Sequence, residues 1–154
     1  MMKLCSDVLT ALSGKTLVTA ESLTGGGIGS ALTAVSGSSA VYKGGIISYT
    51  NWVKENILGV SGELLENLGA VSGPVAEAMA VGARKVLQAD VAVAVTGLAG
   101  PGGDEFGNPV GTVFIGYADA EKSLRIHRIF SGTRAEIRQQ TIEAALMLIL
   151  EQNA

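Results

Sequence analysis

The run VAVAVTG at residues 91–97 decides the fold class of this chain. It is apolar on consecutive positions, which is typical of a strand at the centre of a sheet that is covered on both faces. The β-prone run LVTA at 17–20 and the β-branched and aromatic run GGIISYT at 44–50 predict two more strands. Beyond them, VGTVFIGYA and LRIHRIF predict an antiparallel pair joined by a turn near 119–123.

Helical signals lie between and around these strands. Apolar residues at helical spacing predict helices near 3–13 and 28–35. The Gly-Pro pair at 73–74 opens another helix, which ends at Asp90, and a capping box at 133–136 opens the last one. The order of elements predicts an α/β fold, a layered α/β/α sandwich with a mixed central sheet.

Composition limits the classes of function. With 154 residues, 47% of them apolar and 16% charged, the chain fits a single domain over 1–154 with a sizeable core. The net charge of −3 and the lack of a basic cluster argue against nucleic acid as a partner. No apolar run is long enough to span a membrane. We therefore expect a small-molecule ligand. Cys5 is the single cysteine and the amino terminus lacks a signal-peptide layout, so we expect a cytoplasmic protein.

The loop ESLTGGG at 21–27 is the first candidate binding element. A glycine-rich turn at the start of a helix presents backbone N–H groups and the positive end of the helix dipole, so Thr24, Gly25 and Gly26 could bind a phosphate or an oxyanion. Alternatively, the glycines only permit a tight turn and close packing. No Gly-Lys-Ser/Thr follows, and Ser30 replaces the third glycine of a dinucleotide fingerprint, so no nucleotide cofactor is inferred.

Ser39 and Lys54 form the second candidate, a serine activated by a lysine. Asn51 is placed to cap a short helix that carries Lys54. The amine acts as a base only when neutral, so its pKa must be lowered by burial, and Ser22 could pass the proton between the two groups. The alternative is an ordinary solvated face, with the serine in a turn and the lysine in water.

Thr96 and Arg134 complete the candidates. Thr96 ends the central strand, where ligands collect in open α/β sheets, or its hydroxyl only caps the strand end. Arg134 opens the last helix, where a positive charge opposes the helix dipole; it could clamp a phosphate or carboxylate, or lie on the surface. Asp104 and Glu105 indicate a solvated turn and no metal site, because no histidine or cysteine pattern lies nearby.

Seven short blocks occur in order along the chain: AESLTGG at 20–26, GSS at 37–39, SYTN at 48–51 followed by Lys54, GAVSGPV at 69–75, TGLAGPGG at 96–103, PVGTV at 109–113 and FSGTR at 130–134. Together they span nearly the whole chain and resemble the CinA carboxy-terminal domain family. Its characterised members are nicotinamide-nucleotide amidohydrolases, also called NMN deamidases. Many relatives have cysteine where this chain has Leu23, which argues against a thiol mechanism here.

The resemblance implies hydrolysis of the carboxamide of nicotinamide mononucleotide, giving nicotinate mononucleotide and ammonia, in pyridine nucleotide salvage and without a metal or cofactor. Carried over by motif, it implies Ser39 as the nucleophile, Lys54 as its general base and Ser22 as the assisting hydroxyl. It also implies three residues that line the substrate site, namely Tyr49, Thr96 and Arg134.

Two further expectations accompany the resemblance. The family habit and apolar edge strands imply a homo-oligomer, a dimer. The same glycine loops also fit a different class of function, a non-catalytic nucleotide-binding module that regulates a partner or assembles with it.

Overall fold

The computed structural model describes residues 1–154, and its centre is a five-stranded sheet in the order β2-β1-β3-β4-β5. β1 pairs in parallel with β2 and β3, whereas β4 runs antiparallel to β3 and β5 antiparallel to β4. The mixed sheet predicted from the sequence is therefore confirmed. The strands are β1 Leu17–Glu21, β2 Tyr42–Ile47, β3 Val91–Gly97, β4 Thr112–Ala118 and β5 Ser123–Ile129.

Helices cover both faces of the sheet, which makes the fold an α/β/α sandwich. One core lies between the sheet and α1, α2 and α6, and a second lies between the sheet and α5 with α4. None of the helices is both long and apolar enough to span a bilayer. The helices are α1 Met2–Ala11, α2 Gly27–Thr33, α3 Asn51–Asn56, α4 Gly62–Leu68, α5 Gly73–Val86 and α6 Arg134–Asn153, and a 3-10 turn covers Ser38–Ala40.

The central strand β3 shows why consecutive apolar residues are needed. Its odd-numbered valines, 91, 93 and 95, enter the core under α1, α2 and α6. Ala92 and Ala94 face α5. On the neighbouring strand β4, a Cβ added at Gly116 would overlap the carbonyl oxygen of Ala76 in α5. Small residues on this face therefore let α5 pack closely on the sheet.

Several predicted boundaries change. β2 covers Tyr42–Ile47, so Ser48 and Tyr49 lie in the following loop and not in the predicted strand. Asn51 is not the cap of α3: the helix begins at Asn51, and Thr50 precedes it without a side-chain capping bond. The predicted helix starts at residues 73 and 134 are confirmed, the latter with a complete capping box. α4 lies in a stretch for which no helix was predicted.

The topology creates a crevice at one edge of the sheet. β1 leads into α2 on one face, while β2 leads through α3 and α4 into α5 on the other face before β3 returns beside β1. Loops at the carboxyl ends of these three parallel strands therefore part to opposite sides, and open α/β sheets bind ligands at such points.

Candidate active site

A cavity of about 410 Å³ lies at the carboxyl ends of β1, β2 and β3. It is walled by the turn after β1, the loop after β2, the segment before α5 and the loop after β3. Its lining residues are Ser22, Leu23, Tyr49, Asn51, Lys54, Ala70, Val71, Thr96, Gly97, Leu98, Ala99, Gly100, Gly102 and Arg134.

Lys54 is the buried charge of this cavity. Only 1% of its surface is exposed, and its Nζ donates hydrogen bonds to Ser22 Oγ at 3.1 Å and to the Ser48 carbonyl oxygen at 2.6 Å. Desolvation by burial lowers the pKa of the amine from 10.5 to about 8. Lys54 lies in the short helix α3, which begins just after the β2 loop, and its side chain reaches back to the Ser48 carbonyl in that loop. The amine is thus neutral in about one molecule in ten at pH 7.

Ser22 is the hydroxyl paired with that amine. It directly follows β1, is 7% exposed, and its N–H donates to the Val95 carbonyl oxygen of β3 at 3.2 Å. The backbone bond fixes the serine between the ends of two central strands. Because Ser22 Oγ lies at the cavity wall within hydrogen-bond distance of Lys54 Nζ, the pair has the arrangement of an activated nucleophile and its base.

Ser39 does not join this pair, which corrects the sequence prediction of a Ser39–Lys54 dyad. It is exposed in the 3-10 turn before β2, whereas Lys54 lies beyond the other end of that strand. The six residues of β2 span about 20 Å, so the two side chains lie beyond opposite ends of this strand. Closeness in sequence is misleading here because a strand lies between them, while Ser22 reaches Lys54 across 32 residues.

The glycine-rich start of α2 is also not an open anion site. The Glu21 side chain is 2% exposed and accepts bonds from the backbone N–H groups of Ile28 at 2.8 Å and Gly29 at 3.1 Å. Its Oε1 also accepts the Thr24 hydroxyl at 2.7 Å. A carboxylate of the chain itself therefore occupies the start of α2, and this geometry gives no support to the prediction that Thr24, Gly25 and Gly26 bind substrate there.

Tyr49, Thr96 and Arg134 all lie on the cavity wall. Arg134 Nη1 donates to the Gly100 carbonyl oxygen at 2.6 Å and Nη2 to the Tyr49 hydroxyl at 3.2 Å. The buried Thr96 hydroxyl donates to the Ala70 carbonyl oxygen at 2.8 Å. These contacts tie together the loops after β2 and β3 and the segment before α5. The arginine remains exposed, so its charge faces the mouth of the cavity.

Several lining residues have free backbone N–H groups that were not predicted as donors, and three of them lie in the turn after β1 and the loop after β3. The N–H groups of Leu23, Ala99 and Gly100 make no hydrogen bond within the chain. Leu23 immediately follows Ser22, the position from which the residue after a nucleophile commonly stabilises an oxyanion. The sequence offers no local signal for these donors, because their availability depends on how the two loops face each other.

Two charged residues that support the site were also missed by the sequence analysis. The Glu21 carboxylate, at the end of β1, accepts N–H groups in the first turn of α2, and the known capping motifs do not place a carboxylate so far before the helix. Arg138 donates to the Leu23 and Thr24 carbonyl oxygens from α6, and its spacing of four from Arg134 places both on one helix face. No three His, Cys, Asp or Glu side chains group together in a way that could hold a metal ion.

Comparisons with known proteins cover almost the entire chain. Residues 1–153 match the family model described as the CinA C-terminal domain. A CinA-like protein of Synechococcus sp. (strain RCC307) is 48% identical over 150 residues, which are 95% of this chain and 36% of that protein. Another from Parasynechococcus marenigrum (strain WH8102) is 49% identical over 147 residues, or 93% and 35%. The chain thus spans about a third of the length of these curated relatives.

Solved structures share the fold. The competence-damaged protein (CinA) superfamily protein from Enterobacter cloacae has a TM-score of 0.96 at 33% identity, covering 99% of this chain and 92% of that chain. The competence/damage inducible protein CihA from Agrobacterium tumefaciens has a TM-score of 0.95 at 41% identity, covering 99% and 95%. The similarity therefore extends over the complete sandwich and the loops that form the cavity.

Proposed function

The chain belongs to the CinA C-terminal domain family, and from its site we propose that it hydrolyses the carboxamide of nicotinamide mononucleotide. The products are nicotinate mononucleotide and ammonia, as expected of an amidohydrolase in pyridine nucleotide salvage. The observation that carries the proposal is the hydrogen bond between the buried Lys54 amine, whose pKa is lowered to about 8, and the Ser22 hydroxyl. A desolvated lysine beside a serine supports nucleophilic catalysis.

The reaction begins with Ser22. The neutral Lys54 Nζ accepts the hydroxyl proton while Ser22 Oγ bonds to the carboxamide carbon, and the electron pair of the C=O bond moves to oxygen. The ammonium of Lys54 then protonates the leaving nitrogen, the C–N bond breaks and ammonia departs, which leaves an ester on Ser22. Water attacks this ester as Lys54 accepts its proton, and the bond to Ser22 Oγ then breaks as Lys54 returns the proton to that oxygen. The acid released loses its proton to water and leaves as the carboxylate.

The oxyanion formed in both halves of the reaction needs donors that are already in place. We assign this role to the unpartnered N–H group of Leu23, which follows Ser22, and to those of Ala99 and Gly100, which line the same cavity. Removal of one such donor typically costs about 3–4 kcal/mol of transition-state stabilisation. The loops after β1 and β3 thus contribute backbone groups to the chemical step.

The charge of the cavity supports an anionic substrate. Two basic side chains line it, those of Lys54 and Arg134, and no carboxylate does. The nearby Glu21 carboxylate is buried in its bonds to α2. Arg134 lies at the mouth with a planar guanidinium that suits a phosphate. Nicotinamide mononucleotide carries its phosphate at the end opposite the amide, and we assign the phosphate to Arg134 and the amide to Ser22.

The test is release of nicotinate mononucleotide and ammonia by purified protein. We expect Ser22→Ala to abolish turnover. Ser39→Ala is the matched control, because Ser39 lies before β2 and away from the cavity, and it should leave turnover unchanged. Activity that survives in Ser22→Ala, or is lost in a folded Ser39→Ala, contradicts the proposed site. Tight binding of the nucleotide by the wild-type protein without ammonia release would instead favour the non-catalytic nucleotide-binding module.

A further inference from the structure

Arg138 holds the turn that carries the nucleophile, although it does not line the cavity. We define the nucleophile turn as Ser22–Gly25, which is closed by a bond from the Gly25 N–H to the Ser22 carbonyl oxygen at 3.1 Å. From α6, Arg138 Nε donates to the Leu23 carbonyl oxygen at 2.9 Å and Nη2 to the Thr24 carbonyl oxygen at 3.2 Å. One guanidinium thus holds two successive carbonyl groups of this turn.

The nucleophile turn needs such support because it leads into three consecutive glycines. Gly25 and Gly26 have φ angles of +56° and +101°, a region in which glycine moves freely. The Leu23 N–H, the proposed oxyanion donor, belongs to the peptide whose carbonyl, that of Ser22, accepts the Gly25 N–H. Rotation of the next two peptides moves Gly25 and is passed back to the Leu23 N–H through that bond. Donors of this kind act only when they are fixed before the reaction. A planar guanidinium bound to two carbonyls restricts those rotations.

The surroundings of Arg138 indicate that this is the main use of its charge. It forms no salt bridge, whereas Arg125 of β5 pairs with Glu77 of α5. It is half-buried, and its Nη2 lies 3.7 Å from the position of a Cβ added at Gly25. The charged group is therefore partly removed from water, and its bonds go to two neutral carbonyls, which a charged donor holds more firmly than a neutral donor would.

We propose that Arg138 is a positioning residue that fixes the Leu23 N–H and Ser22 Oγ for reaction, an inference that rests on the proposed function of this site. It contacts neither substrate nor the reacting atoms and acts through the two carbonyls of the nucleophile turn. Its loss therefore lowers the rate of the chemical step and leaves substrate binding by the cavity largely intact.

The first test compares Arg138→Gln and Arg138→Lys with the control Arg128→Gln, an exposed arginine on β5 whose side chain bonds only to the neighbouring His127 carbonyl. For nicotinamide mononucleotide we expect kcat to fall about 10- to 100-fold in Arg138→Gln, with KM within about threefold of wild type. Lysine, which can donate to one carbonyl, should restore part of kcat. An unchanged kcat, or a loss that appears only in KM, overturns the proposal.

A second measurement does not depend on the amide substrate. With a fluorophosphonate probe, Ser22 Oγ bonds to phosphorus, Lys54 accepts the hydroxyl proton and fluoride leaves, while negative charge develops on the phosphoryl oxygen. We expect labelling of Arg138→Gln to be at least tenfold slower than labelling of Arg128→Gln, with thermal melting midpoints alike. Equal labelling rates overturn the inference, even if nicotinamide mononucleotide is not the substrate. Ammonia release by wild type with no labelling difference leaves the proposed function standing and refutes only the role of Arg138.

Discussion

Catalysis by this site should depend on pH through the amine of Lys54. Burial lowers its pKa from 10.5 to about 8. At pH 7 an amine of pKa about 8 is neutral in about one molecule in ten, compared with about one in 3,000 for a pKa of 10.5, so burial increases the population of usable base about 300-fold. We expect kcat/KM to rise about eightfold from pH 6.5 to 7.5 and to level off above about pH 9.

The assay is chromatographic measurement of nicotinate mononucleotide, which avoids the pH dependence of a coupling enzyme. The range from pH 6.5 to 9.5 keeps the substrate phosphate mainly dianionic, because its second pKa is about 6. Circular dichroism at each pH checks that the protein stays folded, and Ser39→Ala should give the same profile. A flat profile, or a rate still rising steeply above pH 9.5, would refute the assignment of a desolvated Lys54 as the base.

The same shift predicts how stability varies with pH. The unfolded amine titrates near 10.5 and the folded one near 8, so the unfolded state binds more protons between these values. The free energy of unfolding of the wild type, relative to Lys54→Met, should therefore rise with pH by about 3 kcal/mol over this window and be constant below it. Denaturation in urea at pH 7.5 and 10 measures the difference, and a difference that falls with pH contradicts burial of the amine.

Two further changes test the remaining parts of the site. Arg134→Gln should raise KM for nicotinamide mononucleotide about 10- to 100-fold, because it removes a charged partner of the phosphate. It should hardly affect hydrolysis of the riboside, which lacks the phosphate. Equal effects on both substrates would show that the arginine does not bind the phosphate. Leu23→Pro removes one backbone N–H and should lower kcat about 100- to 1,000-fold, whereas Leu23→Ala keeps the N–H and should not. Steady-state kinetics of the two variants at one position separate the donor from the packing, and similar kcat values would exclude this donor.

The order of elements could be predicted from the sequence because it depends on local patterns. The consecutive apolar residues at 91–97 identify the buried central strand, and the capping box at 133–136 marks the start of α6. The resemblance to the family implied Lys54 and Arg134 as site residues, and both lie on the cavity wall. These signals are short-range, so they do not depend on how the chain is arranged in space.

The pairing of residues in the site depended on the tertiary structure. The sequence places Ser39 nearer to Lys54 than Ser22, but β2 separates the first pair by its whole length, and the parallel register of β1 and β2 brings the second pair together. Glu21 and Arg138 are similar cases. Glu21 accepts a bond from the start of α2 and Arg138 donates to the turn after Ser22, and no local pattern in the sequence links either side chain to its partner. Side chains meet at the ends of neighbouring strands according to strand order and direction, and those are properties of the folded sheet alone.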